Sequence, residues 1–229
     1  MQNSSQVPNL IPLHSNKGKH RGDVKVRSIP PRARKRLLAF STVAQIGYIL
    51  FGVSIFTAAG VVGSLFHVAN HVIMKSLLFL SAGCFIHQTG TRDIHELSGV
   101  RKVMPLTSAC FTIGIFAIAA VPGLNGFWSE LMIVTAGVQS GMILLSGLMV
   151  LNIFLSVAYY LRLIYNMILK EPGEKLNGVK ETPYGMVLPL IVLALACIAI
   201  GIYPDPIIQL ASRATEALLN VTAYINAVM

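Results

Sequence analysis

The chain has 229 residues, of which 54% are hydrophobic and only 12% charged, and its mean hydropathy is +0.68. This composition excludes an ordinary soluble domain, in which about 25% of residues are charged, and it leaves room for roughly five or six membrane-spanning helices. The formal net charge of +9 is concentrated at one end, because residues 1–36 hold nine Lys or Arg and a single acid, Asp23.

Residues 1–34 form a basic, polar segment with four prolines, and we predict that it is a disordered tail. It lacks interleaved aromatic residues and adjoins an apolar segment, so it indicates the cytoplasmic side of a bilayer rather than a nucleic-acid partner. It is not a signal peptide, because residues 1–30 contain no continuous apolar core.

Apolar segments then follow along the chain. Those at 37–54, 58–87, 141–169 and 185–203 each predict one membrane helix. A further apolar stretch, 105–136, is interrupted by Pro122-Gly123-Leu124-Asn125-Gly126. The last segment, 206–229, repeats apolar residues at helical spacing, including Ile207, Ala214 and Leu218, and either lies in the interface or forms a sixth span. The sequence therefore predicts an all-α membrane protein with five to six transmembrane helices, one of them broken near its middle.

The interrupted stretch could cross the membrane once, as a broken helix, or twice. A single crossing places the basic tail and the loops at 88–103 and 170–184 on one side, and it leaves the turns near 56 and 139 without Lys or Arg. The positive-inside rule favours this arrangement. We therefore expect a multi-pass protein of the plasma membrane with a cytoplasmic N-terminus.

The second apolar segment carries the strongest functional signal. His67, His71 and Lys75 are four residues apart, so they share one face of a helix. An ionisable side chain inside a membrane helix costs about 2.5–3.5 kcal/mol on insertion scales and is by default a functional hypothesis. Three such side chains on one stripe indicate a path for protons or ions.

Other polar residues leave alternatives open. Glu130 lies one turn beyond the interruption, where a carboxylate either serves a transport site or merely ends a helix at the outer interface. Ser41, Gln45 and Tyr48 share one face of the first helix, which favours helix packing through hydrogen bonds over a wet path. Lys35 is either one of several basic residues at a membrane edge or the entry of a relay.

A haem or metal site is disfavoured. His67 and His71 could bind either, but the cation of Lys75 one turn onward repels a metal ion, and no second helix offers a well-placed histidine. The three cysteines show no metal or redox spacing. We predict no metal, no cofactor and no redox catalysis on this chain.

Several motifs together resemble a known family. They are KRLLAFSTVAQIGY at 35–48, the His67-x3-His71-x3-Lys75 pattern, GTRDI at 90–94 and PGLNGFWS at 122–129. In this order they resemble the antiporter-like proton-pumping subunits of respiratory complex I, multi-subunit sodium/proton antiporters and membrane-bound energy-converting hydrogenases. The resemblance covers about residues 35–205.

The resemblance implies a fold and a set of roles. Residues 35–205 would form the second of the two inverted repeats of these subunits, followed by an amphipathic or transmembrane helix at 206–229. Lys75 is similar to the central lysine of a hydrated relay, with His67 and His71 beside it. Lys35 is similar to the lysine at the start of the preceding helix, and Glu130 occupies the charged position of the broken helix.

Two departures qualify the resemblance. Ala33 stands where the family normally has an acidic residue, and the chain lacks the first repeat. We expect a proton- or sodium-translocating subunit of a redox-driven pump of the NADH dehydrogenase, group 4 hydrogenase or multi-subunit antiporter type. Its partners would be other membrane subunits, including one that supplies the missing repeat. The alternative is a non-conducting structural subunit or a truncated fragment of such a pump.

Overall fold

The computed structural model describes residues 31–173 and 176–220, with side chains from residue 41 onward. Within these ranges the protein is helical and has no strand. Its α-helices are α1 (Pro31–Ser54), α2 (Ala58–Thr89), α3 (Pro105–Ile118), α4 (Asn125–Gln139), α5 (Ile143–Ile164), α6 (Tyr184–Ile202) and α7 (Asp205–Leu219). A π-helical turn, Tyr165–Leu169, extends α5.

Helix α1 begins at Pro31, three residues before residue 34, where we predicted the end of the basic tail. A proline suits the first turn of a helix, because its missing N–H has no intrahelical partner there. The rest of the predicted tail, residues 1–30, lies outside the described residues. The backbone of Lys35 belongs to α1, but its side chain is likewise outside the described part of the chain.

Helix α2 is the central element and packs against α1, α3, α4, α6 and α7. Its start at Ala58 is fixed by the hydroxyl of Thr57, which accepts a hydrogen bond from the N–H of Gly60 at 3.2 Å. With 32 residues the helix is about 48 Å long, longer than the hydrocarbon core of a bilayer. Helix α2 is therefore long enough to cross a bilayer, and different faces of it contact different neighbouring helices.

One face of α2 builds the large apolar cluster of the protein together with α3 and α6. Met74, Leu77 and Phe85 of α2 are at most 1% exposed and pack with Ile115 of α3 and Leu190 of α6. Phe85 also meets Phe111 edge to face, with ring centroids 5.4 Å apart. Between membrane helices such clusters stabilise through close packing, since lipid tails are as apolar as leucine.

Three described helical segments are long and apolar enough to cross a membrane: Ala58–Thr89, Ile143–Leu169 and Tyr184–Ile202. Ser41–Ser54 and Pro105–Ile118 are apolar but shorter. The helical, membrane-type character of the chain is thereby confirmed for its described part. The count of five to six crossings and the inverted-repeat architecture stay predictions.

The interrupted stretch forms two helices, and the break between them begins earlier than predicted. Helix α3 ends at Ile118 and α4 begins at Asn125, whereas the sequence pointed to 122–126. Ala120 already adopts a left-handed conformation with φ of +54°, and Gly123 follows with φ of +90°. Alanine disfavours this region, so nothing in the local sequence announces the exit at residue 119.

The loops that follow α2 and α5 lie at the same end of the bundle. Lys102 and Glu171 form an ion pair between them, and the N–H of Gly173 donates to the carbonyl of Ser98 at 3.3 Å. Gly99, with φ of +71°, allows this approach, because a Cβ there would meet the backbone nitrogen of Pro172 at 2.4 Å. A single broken crossing between the two loops requires this shared end.

The start of α3 is held by a side chain from the segment before α6. The carboxylate of Glu181 accepts from the N–H of Leu106 and from the hydroxyl of Thr107, each at 2.7 Å. Met104, at the cap position of the helix, makes no side-chain hydrogen bond to it. A carboxylate here also lies at the positive end of the helix dipole, which is favourable.

The terminal helix α7 packs on α2. Ala211 and Thr215 are buried, with Ala211 packed near Phe66 of α2, whereas Ala214 and Leu218 of the predicted apolar stripe are exposed. Ile207 of the same stripe packs against this cluster, and the interfacial or membrane-spanning placement of 206–229 stays a prediction. Residues 221–229 lie outside the described residues.

Candidate functional site

The stripe of His67, His71 and Lys75 on α2 lies on the side of α1 and α4. His67 is 0% exposed and Lys75 7%, while His71 is half-buried. The rings of His67 and His71 stack with their centroids 6.2 Å apart and an interplanar angle of 29°. The helical spacing therefore produces the predicted stripe.

Helix α1 supplies direct partners to this stripe. The ammonium of Lys75 donates to the hydroxyl of Ser41 at 2.8 Å, and Nε2 of His67 lies 2.7 Å from Oε1 of Gln45. Tyr48 lies next to His67, with ring centroids 6.2 Å apart. The sequence favoured plain helix packing for these three residues of α1, but the structure places them against the charged stripe.

Glu130 of α4 joins the same network. It is 2% exposed, and its Oε1 accepts a hydrogen bond from Nε2 of Gln45 at 3.2 Å. Because the amide nitrogen of Gln45 donates to Glu130, its amide oxygen must accept from His67, which places a hydrogen on Nε2 of that ring. The carboxylate of Glu130 is buried against α1. This burial argues against the alternative in which Glu130 ends a helix at an exposed interface.

The second nitrogen of His67 faces Ser129, a residue that sequence reasoning did not single out. Nδ1 of His67 lies 2.9 Å from the hydroxyl oxygen of Ser129, which in turn lies 3.1 Å from the carbonyl oxygen of Gly126. Both nitrogens of the buried imidazole are thus in hydrogen-bond contact with protein side chains. The available signal was position, because Ser129 directly precedes Glu130 in the sequence.

A pair of asparagines fastens α2 to the break. Nδ2 of Asn70 donates to the carbonyl of Asn125 at 2.9 Å, and Nδ2 of Asn125 donates to Oδ1 of Asn70 at 3.3 Å. Both residues are 0% exposed. Asn125 is the first residue of α4, so this pair fixes where the second half of the broken helix starts.

Two glycines allow the backbone on either side of the break to close. A Cβ on Gly126 would lie 2.1 Å from the carbonyl oxygen of Ala117, and one on Gly201 would lie 2.3 Å from that of Gly123. The indole N–H of Trp128 donates to the carbonyl of Gly201 at 2.8 Å. These contacts set the position of α4, and with it that of Ser129 and Glu130.

Helix α5 completes the wall opposite α2. Ser156 and Tyr160 are 5% and 1% exposed, and they lie near Tyr48 and Ser41 respectively. Sequence reasoning missed both, because isolated hydroxyls in an apolar helix usually bond to their own backbone. We call the surface shared by α1, the stripe on α2, the start of α4 and this part of α5 the polar seam.

Several buried atoms of the polar seam have no hydrogen-bond partner among the described residues. They are Tyr48 Oη, His71 Nδ1, Asn125 Oδ1, Glu130 Oε2 and Tyr160 Oη. Buried polar groups are nearly always paired, with ordered water where protein offers nothing. The polar seam is therefore chemically suited to hold water beside its ionisable groups.

No cluster of three His, Cys, Asp or Glu side chains that could hold a metal ion occurs among the described residues. The predicted absence of metals and cofactors stays a prediction. The roles expected for Lys75, His71, His67 and Glu130 also stay predictions, although the structure brings the four side chains together.

Comparisons with known proteins identify the family. The family described as "NADH:quinone oxidoreductase/Mrp antiporter, TM" matches residues 31–156, a range that contains the stripe and Glu130. F(420)H(2) dehydrogenase subunit L of Methanosarcina mazei is 41% identical over 180 residues, which cover 73% of this chain and 27% of that protein. A putative antiporter subunit, mnhD2, of Staphylococcus aureus is 32% identical over 183 residues, covering 80% and 36%.

A comparison with solved structures finds the same fold in related proteins. A chain of the Mrp complex from Dietzia sp. DQ12-45-1b superposes with a TM-score of 0.77 at 25% identity, covering 83% of this chain and 44% of that one. The chain thus spans less than half of the length of each of these relatives. With more than half of its residues matched by the family, the chain belongs to the transmembrane family of NADH:quinone oxidoreductase and Mrp antiporter subunits.

Proposed function

We propose that the polar seam conducts protons, with Lys75, His71, His67 and Glu130 as the groups that take up and release them. The observation that carries the proposal is the linked set of contacts from His67 through Gln45 to Glu130, with Lys75 two turns farther along the same helix face. Carboxylate, imidazole and amine can each bind and release a proton. Ionisable side chains are costly inside membrane helices, and where they occur they typically mark ion or proton paths.

The contacts suggest different roles for the side chains along the polar seam. An amide does not titrate, so Gln45 holds His67 and Glu130 at a fixed separation and the proton passes beside it. Tyr48, which lies next to His67 and near Glu130, and a bridging water would complete that passage. A water would also bridge His71 to His67, whose rings are 6.2 Å apart.

The chemistry of the seam favours protons over sodium ions. Hard cations are bound by several oxygen ligands, whereas the stripe presents two imidazoles and an amine to its partners. The ammonium of Lys75 would repel a cation placed beside it. We therefore propose H⁺ as the conducted ion along this stretch.

We further propose that the chain works as a subunit of a larger complex, as its relatives' names indicate for them, and that this complex lies in the plasma membrane. The loops after α2 and α5 lie at one end of the bundle and carry Arg101, Lys102 and Lys170, which supports a cytoplasmic location for that end. Lys35 is proposed as the entry to the path from α1. The driving reaction would belong to other subunits.

The proposal is tested with substitutions of Lys75 in the assembled complex. Lys75→Arg keeps the positive charge but cannot release its proton at physiological pH, and Lys75→Ala removes both. Lys102→Ala makes the same chemical change in the exposed loop and is the matched control. Proton movement is recorded in proteoliposomes of the purified complex with an internal pH-sensitive dye, energised by its own electron donor or by a sodium gradient.

We expect both Lys75 variants to assemble at wild-type yield and to lose proton movement by at least tenfold, while Lys102→Ala behaves as wild type. Wild-type proton movement in an assembled Lys75→Ala complex would show that the seam does not conduct. It would favour the alternative, a structural subunit that only anchors its neighbours.

A further inference from the structure

The ring of His67 is in hydrogen-bond contact with one side chain from each of two other helices, α1 and α4. Nε2 contacts Oε1 of Gln45 at 2.7 Å, and Nδ1 contacts Oγ of Ser129 at 2.9 Å. Oγ of Ser129 is also 3.1 Å from the carbonyl oxygen of Gly126. A serine hydroxyl has one hydrogen and two lone pairs, and that hydrogen rotates to suit its partners.

These distances satisfy the neutral form of His67. The hydrogen on Nε2 donates to Gln45, and Nδ1 carries a lone pair. The hydroxyl of Ser129 then turns its hydrogen toward Nδ1 and donates to it. Every polar atom of the ring is paired, as a fully buried imidazole requires.

The same distances also satisfy the cationic form. Nδ1 now carries a hydrogen and donates it to the lone pair of the Ser129 oxygen. The hydroxyl hydrogen of Ser129 turns away and donates to the carbonyl of Gly126, which has two lone pairs. No heavy atom moves between the two forms, because only one hydroxyl hydrogen changes direction.

We propose that Ser129 is a positioning residue whose rotating hydroxyl allows His67 to hold and give up a second proton without rearrangement of the site. The inference rests on the proposed proton path and assigns His67 as a carrier within it. One proton leaves the ammonium of Lys75, which becomes an amine, and passes by way of His71 and bridging water to His67, which becomes an imidazolium. That proton then neutralises the carboxylate of Glu130, so only N–H and O–H bonds change.

His71 lacks an equivalent arrangement. It is half-buried, and its Nδ1 has no hydrogen-bond partner among the described residues. The described residues thus provide side-chain partners for both nitrogens of His67, but no partner for Nδ1 of His71. This difference between two neighbouring histidines singles out His67 as the pre-organised one.

Several other titratable groups surround His67 and enter any pH dependence. The ones that face it are Tyr48 of α1, His71 and Lys75 of α2, and Glu130 of α4. The other helices packed on α2 add the buried thiols of Cys110 and Cys197, which lie in the apolar cluster, and the exposed side chains Tyr184, Tyr203, Asp205, Arg213 and Glu216. The test therefore compares variants that leave all of these groups in place.

The test measures the pH profile of proton movement in the assembled complex for Ser129→Ala and Ser129→Thr. Alanine removes the hydroxyl and creates no overpacking, whereas threonine keeps the hydroxyl. Ser81→Ala is the matched control, because Ser81 is also fully buried on α2 but bonds only to the carbonyl of Leu77 in its own helix. Lys75→Ala is measured in parallel.

The sign follows from the cationic form. Without the Ser129 hydroxyl both forms of His67 lose a hydrogen bond at Nδ1, but the charged form loses the stronger, charge-assisted one, so it is disfavoured and needs a higher proton concentration. We expect the alkaline limb of the profile to move to lower pH by about one unit in Ser129→Ala, a tenfold change in that equilibrium. Ser129→Thr and Ser81→Ala should retain the wild-type profile.

The outcomes separate this inference from the proposed function. A Ser129→Ala profile that superimposes on wild type, or that is lowered equally at every pH, overturns the role of Ser129 even if Lys75→Ala is inactive. A threonine variant displaced as far as the alanine variant also overturns it. Full activity in Lys75→Ala would instead remove the proton path itself.

Discussion

The two faces of α2 differ in how completely they are satisfied. Toward α3 and α6 the helix presents Met74, Leu77 and Phe85, which are buried in an apolar cluster that makes no polar demands. Toward α1 and α4 it presents His67 and Lys75, next to several buried polar atoms that have no partner among the described residues. One face thus holds the fold together, and the other carries groups that the fold positions at a cost. Substitutions on the two faces should therefore have separable effects, on stability for the apolar face and on proton movement for the polar one.

The largest effect is expected from a substitution at the break between α3 and α4, where close backbone contacts set the position of α4. Gly126→Ala would place a Cβ 2.1 Å from the carbonyl oxygen of Ala117, and backbone atoms cannot give way as a flexible side chain would. Overpacking of this kind costs typically about 1–3 kcal/mol and occasionally more. We expect the complex to assemble at strongly reduced yield, as measured by its recovery after affinity purification.

Gly147→Ala is the control for this prediction, because a Cβ at Gly147 meets nothing within 4 Å. It should purify at wild-type yield. Normal yield and proton movement in Gly126→Ala would show that α4 can shift without consequence, and the close approach at the break would lose its significance.

A pair of variants of intermediate effect tests the comparison directly. Leu77→Ala removes a fully buried side chain from the apolar cluster and should destabilise the protein by about 2–5 kcal/mol. Gln45→Leu keeps the volume of the side chain but removes the contacts to His67 and Glu130. We expect Leu77→Ala to lower the thermal transition more and Gln45→Leu to lower proton movement more, in the same purified complex.

The comparison would fail if the order of the two variants were reversed. Thermal unfolding followed by intrinsic fluorescence and dye-monitored proton movement give the two readouts on one preparation. A Gln45→Leu complex that conducts at the wild-type rate would mean that the polar seam is connected by a route without Gln45.

The smallest effects are expected from single cysteines in exposed positions, which report the sidedness of the bundle. Arg101→Cys and Asn177→Cys lie in the two loops that share one end, and Ser140→Cys lies in the turn between α4 and α5. An impermeant maleimide should label the first two from the cytoplasmic side and the third from the other. Labelling of Arg101→Cys and Asn177→Cys from opposite sides would contradict a single broken crossing.

Much of the helical framework could be predicted from the sequence because its signals are local. The predicted segment 58–87 differs from α2 (Ala58–Thr89) by two residues, since Thr57 is a favourable cap and the apolar run is continuous. The early end of α3 could not be predicted, because the left-handed backbone of Ala120 is one that alanine disfavours. The packing of α7 depends on where Phe66 of α2 lies, which the sequence does not indicate.

The site divides in the same way. The stripe follows from helical spacing alone, so the sequence predicted that His67, His71 and Lys75 share a face. The partners of His67 are 22 and 62 residues away, in Gln45 and Ser129. Neither distance has a local signature, and a lone serine in an apolar helix reads as ordinary packing. The network therefore needed the tertiary structure.

The start of α3 is encoded outside α3. Because Glu181 caps the helix from a position 75 residues after Leu106, Met104 at the cap position is released from the polar role that usually falls there. Met104 is instead 0% exposed and packs into the apolar cluster. A substitution at Glu181 should accordingly fray the first turn of a helix to which it does not belong, while the sequence of that helix itself remains unchanged.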